Sequence, residues 1–315
     1  MRIGSFISDT GGRRSTVEEI ADSARWCERA GLASAWVPYL PWSLDAFLAL
    51  SVAAQATERI ELGTAVVPTY PFHPMAMARS ALSLNAIAKG RLTLGIGPSH
   101  QSVIESMYGL SYDHPADHTR EYVLALNRAF AGDDIAAAHG AFFDYDSMFA
   151  VPDAPAPSLL IAALAPRMLQ LAGEQTGGTI LWFADEQALS GHVVPRITDA
   201  AREAGRPTPR VVSAIPTAVC DEAEGRAQAA KAFATYEQIP TYQRILARGA
   251  GGHPADVVLV GSIEQIAERL ARWQELGVTD LIAAPFPVGD DRTGSLQRTR
   301  DGLAELAANL DLINH

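Results

Sequence analysis

Lysine is nearly absent from this chain: Lys89 and Lys231 are the only two in 315 residues, although Lys and Arg together number 25. Any anionic partner must therefore be held by guanidinium forks and backbone N–H groups. Cysteine is as scarce. Cys27 and Cys220 stand far apart without metal-type partners, which argues against a disulfide framework or a thiolate zinc site and leads us to expect a reducing cytoplasm. No run of about 18 uncharged apolar residues occurs, and the opening MRIGSFISDT lacks the pattern of a secretory signal, so neither membrane insertion nor export is expected. Positive charge is also in deficit: the formal net charge of −11 would repel a phosphate backbone, so no nucleic-acid partner is expected. H-E-x-x-H, G-x-x-x-x-G-K and G-x-S-x-G are all missing, which removes the main support for zincin, P-loop and α/β-hydrolase chemistry.

What the chain does contain is a hydrophobic fraction of 48%, enough for one globular body with an ample core. Apolar runs of strand length alternate with stretches of helical period. RIGSFI (Arg2 to Ile7) reads as a first strand, followed by a helix capped by Ser15 with Glu18 and ending at Gly31. SAWV from Ser34, IELGTAVV (Ile60 to Val67) and RLTLGIG (Arg91 to Gly97) read as strands two to four. Helices over Leu44 to Ala56 and from Pro74 to Lys89-Gly90 separate them. The spacing then breaks, with helical segments near Ser102 to Tyr108 and Asp117 to Phe130, an aromatic hairpin-like AFFDYDSMF and a Pro-rich VPDAPAPS. Regularity resumes with LLIAAL, TILW, VVSAIPTAV and DLIAAP as strands five to eight. Helices from Arg167, over Ala188 to Ala204, over Ala223 to Arg248 and from Ser262 to Gly277 are interleaved with them.

Eight βα units predict a (β/α)8 TIM barrel, one domain over residues 1–315 with an insertion of about 101–157 after strand four. A doubly wound open sheet is the rival, but no G-x-G-x-x-G follows the first strand. A barrel places its site at the C-terminal strand ends. There, GTAVVPTYPFHP is either a stiff strand leading to a Pro-started helix or a strand distorted to bulge against a flat ligand. GIGPSHQ puts small residues before Ser99 and His100, a histidine being either structural or a proton-transfer group. ALAPRM opens a helix whose free N–H groups, with Arg167, suit an anionic tail or form an ordinary helix start. His114 and His118 stand one helical turn apart, but Pro115 intervenes and no carboxylate-plus-His set is near, so no metal site is expected.

IELGTAVVPTYPFHP, GRLTLGIGPSHQSVIESMYG, LLIAALAPRMLQLAGEQTGGTILW and VGSIEQIAERLARWQELGVTDL together resemble the luciferase-like flavin/deazaflavin oxidoreductase superfamily, in its coenzyme F420-dependent branch. The resemblance runs in order over nearly the whole chain. It implies a barrel with an insertion after strand four, a homodimer, and a deazaflavin at the strand ends, with FMN as the alternative cofactor. It further implies a non-prolyl cis peptide at Ala65-Val66 backing the ring, with Gly97, Pro98, Ser99 and His100 lining it. Ala163, Leu164, Ala165 and Arg167 would lie by its tail.

The sugar-phosphate dehydrogenases of this branch carry an Asp-His pair after strand two and a Glu at the position of His100. This chain has Pro38-Tyr39 followed by Trp42, so their sugar-oxidising pair is absent. A tail-binding Lys after strand six is also replaced, near Asp185, which shifts anchoring to Arg167 and to Arg292 or Arg298. The implied activity is hydride transfer between deazaflavin C5 and a small organic substrate, such as ene or imine reduction in secondary metabolism. His100 is the expected general acid and Tyr39 a second donor, with substrate between Trp42, Tyr70 and Trp182. The alternatives are an FMN-dependent monooxygenase, a barrel that only binds a ligand, and a metal-dependent hydrolase.

Overall fold

The computed structural model describes residues 1–9, 14–132 and 135–313. Eight parallel strands form a closed barrel: β1 (Arg2–Phe6), β2 (Ser34–Val37), β3 (Glu61–Thr64), β4 (Leu92–Gly97), β5 (Ser158–Ala162), β6 (Gly178–Trp182), β7 (Arg210–Val219) and β8 (Asp280–Pro285). Each pairs with the next, and β8 closes on β1 with Arg2 opposite Asp280 and Ser5 opposite Ala283. Every residue of β2 and β4 is buried, because a parallel barrel is covered on both faces. This is why these strands read as continuous apolar runs.

Side chains fill the barrel. Trp36, Leu160, Ile180, Val212, Ala214 and Ile282 form an inner cluster contributed by five strands. Room for the Trp36 ring comes from Gly63, where a Cβ would lie 2.2 Å from Trp36 Cε3. The Trp36 Nε1 proton is satisfied by Ser34 Oγ at 2.8 Å. The N-terminal mouth is closed by charge. Arg210 binds Asp280 at 2.6 Å and Glu61 at 3.0 Å, Arg2 reaches Asp280 at 3.2 Å, and Thr93 donates to Glu61 at 2.7 Å. These residues begin five different strands, so the network ties the bottom of the barrel across its diameter.

Eight helices surround the strands: α1 (Val17–Arg29), α2 (Ala46–Ala56), α3 (Pro74–Ile87), α4 (Pro115–Phe130), α5 (Pro166–Gln175), α6 (Val194–Glu203), α7 (Ile263–Glu275) and α8 (Arg292–Ile313). The cap of α1 is Thr16 with Glu19, one residue beyond the expected Ser15 and Glu18, because the Ser15 hydroxyl turns back to donate to Asp9 at 3.2 Å. At α7 the Ser262–Gln265 capping box forms as expected. The third strand is not one run from Ile60 to Val67: it stops at Thr64 and resumes as Val67–Pro68, which pairs with β4.

The segment after β4 is a smaller insertion than its length suggests. Helix α4 packs between α3 and α5 and buries Tyr122, Val123 and Leu126, so it is the regular fourth helix of the ring. The additions are the short helix Gln101–Ser106 with its following loop, and an antiparallel hairpin of Ile135–His139 and Asp144–Met148. The expected helix over Ala223 to Arg248 is broken into Glu222–Ala232, a 3-10 turn Ala234–Gln238 and Pro240–Leu246. Pro240 supplies no N–H to continue the preceding helix and starts a new one. A short strand not anticipated from the sequence, Leu259–Gly261, adds to the outer end of β7. Pro195 likewise splits the run before Ala204 into Glu186–Ala188, a π turn Leu189–Val193 and α6. No helix among the described residues is long and apolar enough to cross a membrane.

Candidate active site

The strands deliver their C-terminal ends to one mouth, where β3 and β4 shape the floor. Thr64 Oγ1 donates to the Gly95 carbonyl and accepts from the Gly95 amide, both at 2.8 Å, which fixes the last turn of β3 against β4. Beyond Thr64 the peptide bond between Ala65 and Val66 is cis, at the position the resemblance implied. Both residues are half-buried and pack beside Phe6 and Trp182 on the inner cluster. Small residues on β4 make this possible: a Cβ on Gly95 would lie 2.1 Å from the Thr64 carbonyl oxygen, and one on Gly97 would lie 3.1 Å from Val66 Cγ2. The glycines of GIGPSH thus seat the displaced end of β3.

After Gly97 the chain turns through Pro98 and Ser99, the latter with φ of 62°, and brings His100 to the N-cap of helix Gln101–Ser106. Tyr112 holds the turn by donating to the Ser99 carbonyl at 2.9 Å. His100 packs edge-on against Tyr242 at 5.0 Å, and its buried Nδ1 has no hydrogen-bond partner. Burial pushes the imidazole down to about 4, so the ring is neutral at pH 7. Beside it a cavity of about 370 Å3 is lined by His100, Gln101, Tyr112, Gln238, Thr241 and Arg244, among others.

An aromatic wall runs from His100 to the end of β6. Tyr242 meets Tyr236 at 5.2 Å, Tyr236 meets Trp182 at 6.0 Å, and Trp182 meets Phe6 at 6.4 Å. Phe183, held at φ of 60°, packs behind Trp182, Tyr236 and Tyr242 and also meets Phe233. Tyr236, Tyr242, Tyr112 and Arg244 were not singled out from the sequence. The only available signal was Pro240, which marks the break that turns this segment back over the barrel.

The other expected site residues are placed differently. Tyr39 meets Phe72 edge-on at 5.6 Å and lies near Tyr108. Burial, with nearby Tyr108 and Asp45, pushes its phenol up to about 12, so it stays protonated and able to donate. Trp42, on the loop after β2, is 51% exposed. Tyr70 is committed to the insertion: its hydroxyl donates to the Asp113 carbonyl at 2.8 Å and its ring stacks on His118 at 4.0 Å. His118 thereby has a packing role, also touching Phe142 and Phe143 from the hairpin tip. Trp182 stands at the mouth itself.

At the β5 turn Ala163 is buried, Leu164 half-buried, and Ala165 and Arg167 exposed. Arg196 Nε donates to His192 Nδ1 at 3.0 Å, which leaves the proton on Nε2 to donate to the Leu164 carbonyl at 2.8 Å. This relay fixes the turn. The first turn of α5 has no side-chain cap, and the Arg167 guanidinium pairs with Asp117 on α4. Asp185 caps Glu186–Ala188 and accepts from the Ala250 amide at 2.8 Å, fastening the Gly-rich loop after Arg248 to the end of β6. Arg298 stands 3.9 Å from Asp291.

Of the buried polar atoms that lack a hydrogen-bond partner among the described residues, four lie at the strand ends: Ser8 Oγ after β1, Thr69 Oγ1 after β3, His100 Nδ1 after β4 and Trp182 Nε1 on β6. Buried polar groups are nearly always satisfied, so such a group at one end of a barrel is suited to a polar ligand. No cluster of three or more His, Cys, Asp or Glu able to hold a metal occurs among the described residues.

Comparison with known proteins agrees with this architecture. The chain is 27% identical over 93% of its length to an uncharacterized protein of Mycobacterium bovis, covering 92% of that protein. It is 31% identical to 5,10-methylenetetrahydromethanopterin reductase of Methanolobus tindarius, over 60% of this chain and 57% of that one. Among solved structures, an F420-dependent secondary alcohol dehydrogenase in complex with an F420-acetone adduct superposes with a TM-score of 0.77 at 20% identity, covering 95% of this chain and 97% of that one. The oxygenating constituent of 3,6-diketocamphane monooxygenase from Pseudomonas putida, in complex with FMN, superposes with a TM-score of 0.76 at 19% identity, each chain 98% covered. The family model for luciferase-like monooxygenases matches residues 1–280, and the chain belongs to that family.

Proposed function

We propose that this protein is a coenzyme F420-dependent oxidoreductase that moves a hydride between the deazaflavin and a small organic substrate. The observations that carry the reading are the unpartnered polar atoms on Ser8, Thr69, His100 and Trp182 at the strand ends and the half-buried Ala65 and Val66 at the end of β3. A flat heterocycle with polar edges fits such a floor, and relatives named for F420 dependence support the choice over FMN. Ala65 and Val66 would back the ring, Gly97, Pro98 and Ser99 would line it, and Ala163, Leu164 and Ala165 would meet its tail. Arg167 would join them by exchanging Asp117 for an anionic group. When bound, a deazaflavin supplies a carbon centre for two-electron hydride chemistry.

The chain's own residues then orient substrate and move a proton. The role of His100 differs from a simple acid, because burial keeps its ring neutral at pH 7. In the oxidative direction it accepts the substrate's O–H or N–H proton as the hydride leaves carbon. The imidazolium so formed is a strong acid in this setting and returns the proton in reduction. Tyr39, protonated throughout, donates a hydrogen bond, and Trp42, Tyr70 and Trp182 bound the substrate side. An apolar aromatic wall with few polar groups suits reduction of a C=C or C=N bond in a small molecule.

Isotope transfer tests this directly. Reduced F420 carrying deuterium at the hydride-bearing carbon, incubated with the protein and a panel of alkenes, imines and ketones, should yield product heavier by one deuterium without oxygen uptake. Turnover that consumes oxygen with reduced FMN would overturn the reading in favour of monooxygenation.

A further inference from the structure

The cavity beside His100 carries chemistry that hydride transfer alone does not use. Its lining comes from the segment after β7, through Gln238, Thr241 and Arg244, and from the helix after β4, through Gln101, Ser102 and Glu105. Glu105 is occupied, its carboxylate accepting from the Gln101 amide at 3.0 Å. Ser102, Gln238 and Arg244 are exposed and Thr241 half-buried, and none of the four makes a side-chain hydrogen bond or ion pair with a described residue, so all are free to meet a ligand from solvent. Arg244 is the one cation in that lining. It lines the same cavity as Tyr112, the residue that holds the Ser99 turn immediately before His100. Arg244 and His100 thus share one cavity.

We propose that Arg244 determines specificity by binding the carboxylate of the substrate, so that this enzyme acts on small oxo, hydroxy or unsaturated acids. A planar fork of N–H donors matches a carboxylate with two parallel hydrogen bonds, and Thr241, Ser102 and Gln238 supply further donors. The other anionic candidate for Arg244 is the cofactor's own tail, which the test separates. The placement of the reacting carbon at His100 rests on the hydride-transfer reading; the anion contact rests on the cavity.

Calorimetric titration of the cofactor-free protein with a graded series of short oxo-carboxylates, and with methyl ketones of matched length, tests the proposal. The wild type should bind at least one acid about 10-fold or more tightly than its ketone. That preference should vanish in Arg244→Ala and be partly kept in Arg244→Lys, both checked for an unchanged melting temperature. Affinity for F420, read by fluorescence, should be the same in all three proteins. No preference for acids in the wild type, a preference that survives Arg244→Ala, or a fall in F420 affinity in that variant would each overturn it. If the wild type binds acids but not F420, the cofactor reading fails and the anion site stands.

Discussion

Replacing Arg210 by Leu removes the centre of the network that closes the N-terminal end of the barrel. The guanidinium is 23% exposed and holds Asp280, which is 1% exposed, through two hydrogen bonds of 2.6 and 3.3 Å, and Glu61 through a third of 3.0 Å. Removing one partner of a buried ion pair costs about 3–5 kcal/mol, because the remaining charge stays desolvated. Arg2 still reaches Asp280 at 3.2 Å and Glu61 at 2.5 Å, but its side chain is 42% exposed and only partly compensates. The lower end of the range, about 3 kcal/mol, is therefore expected. For a chain of this size that corresponds to a fall in melting temperature of about 5 °C. Urea and thermal unfolding of Arg210→Leu measure the loss, and Arg210→Lys should recover part of it. Because the network lies at the opposite end of the barrel from His100, kcat per folded molecule should not change. A loss below about 1 kcal/mol, or impaired turnover in a variant of unaltered stability, would refute the assignment of this end to stability.

Further consequences follow from particular residues. His100→Ala should lower turnover by about 100- to 10,000-fold, far more than it weakens F420 binding, and the wild-type rate of substrate oxidation should fall as pH drops toward 4 and the ring is protonated. Steady-state kinetics against pH, with a fluorescence titration, check both. Burial pushes His100 and His118 down from 6.5 to about 4, so the unfolded chain takes up protons first as pH falls. Their contribution to stability is complete above pH 6.5 and is lost between 6.5 and 4, so the melting temperature should drop from pH 7 to pH 5, less steeply in His118→Gln. Gly95→Ala would set a Cβ 2.1 Å from the Thr64 carbonyl oxygen and 2.5 Å from Ile180 Cδ1. Displacing that packing should cost about 1–3 kcal/mol and weaken cofactor binding. Gly191→Ala, with nothing within 4 Å, should do neither by the same melting and titration assays.

The barrel was legible because its signals are local: capping boxes, Pro at helix starts and apolar runs long enough to be covered on both faces. Val211 to Val219 and Asp280 to Pro285 were read in place for that reason. What was not legible depends on distant partners. Leu259–Gly261 is too short to carry a period and exists as a strand only because β7 extends beyond the barrel to receive it. Helix α4 looked like insertion because the chain before it wanders, yet its apolar face completes the ring between α3 and α5. In the site, the strand ends pointed to His100 and Trp182, while nothing local linked them to Tyr236 and Tyr242. Arg167 looked free to anchor a tail, and its pairing with Asp117 exists only in the folded ring.

The most direct test of deazaflavin use is a parallel titration of cofactor-free protein with oxidised coenzyme F420 and with FMN, followed by fluorescence and visible absorption. Saturable binding of F420, at least about 10-fold tighter than FMN and weakened by Gly95→Ala, is the predicted result. Preferential binding of FMN, or binding of neither, would contradict it while leaving the barrel and its stabilising network as described.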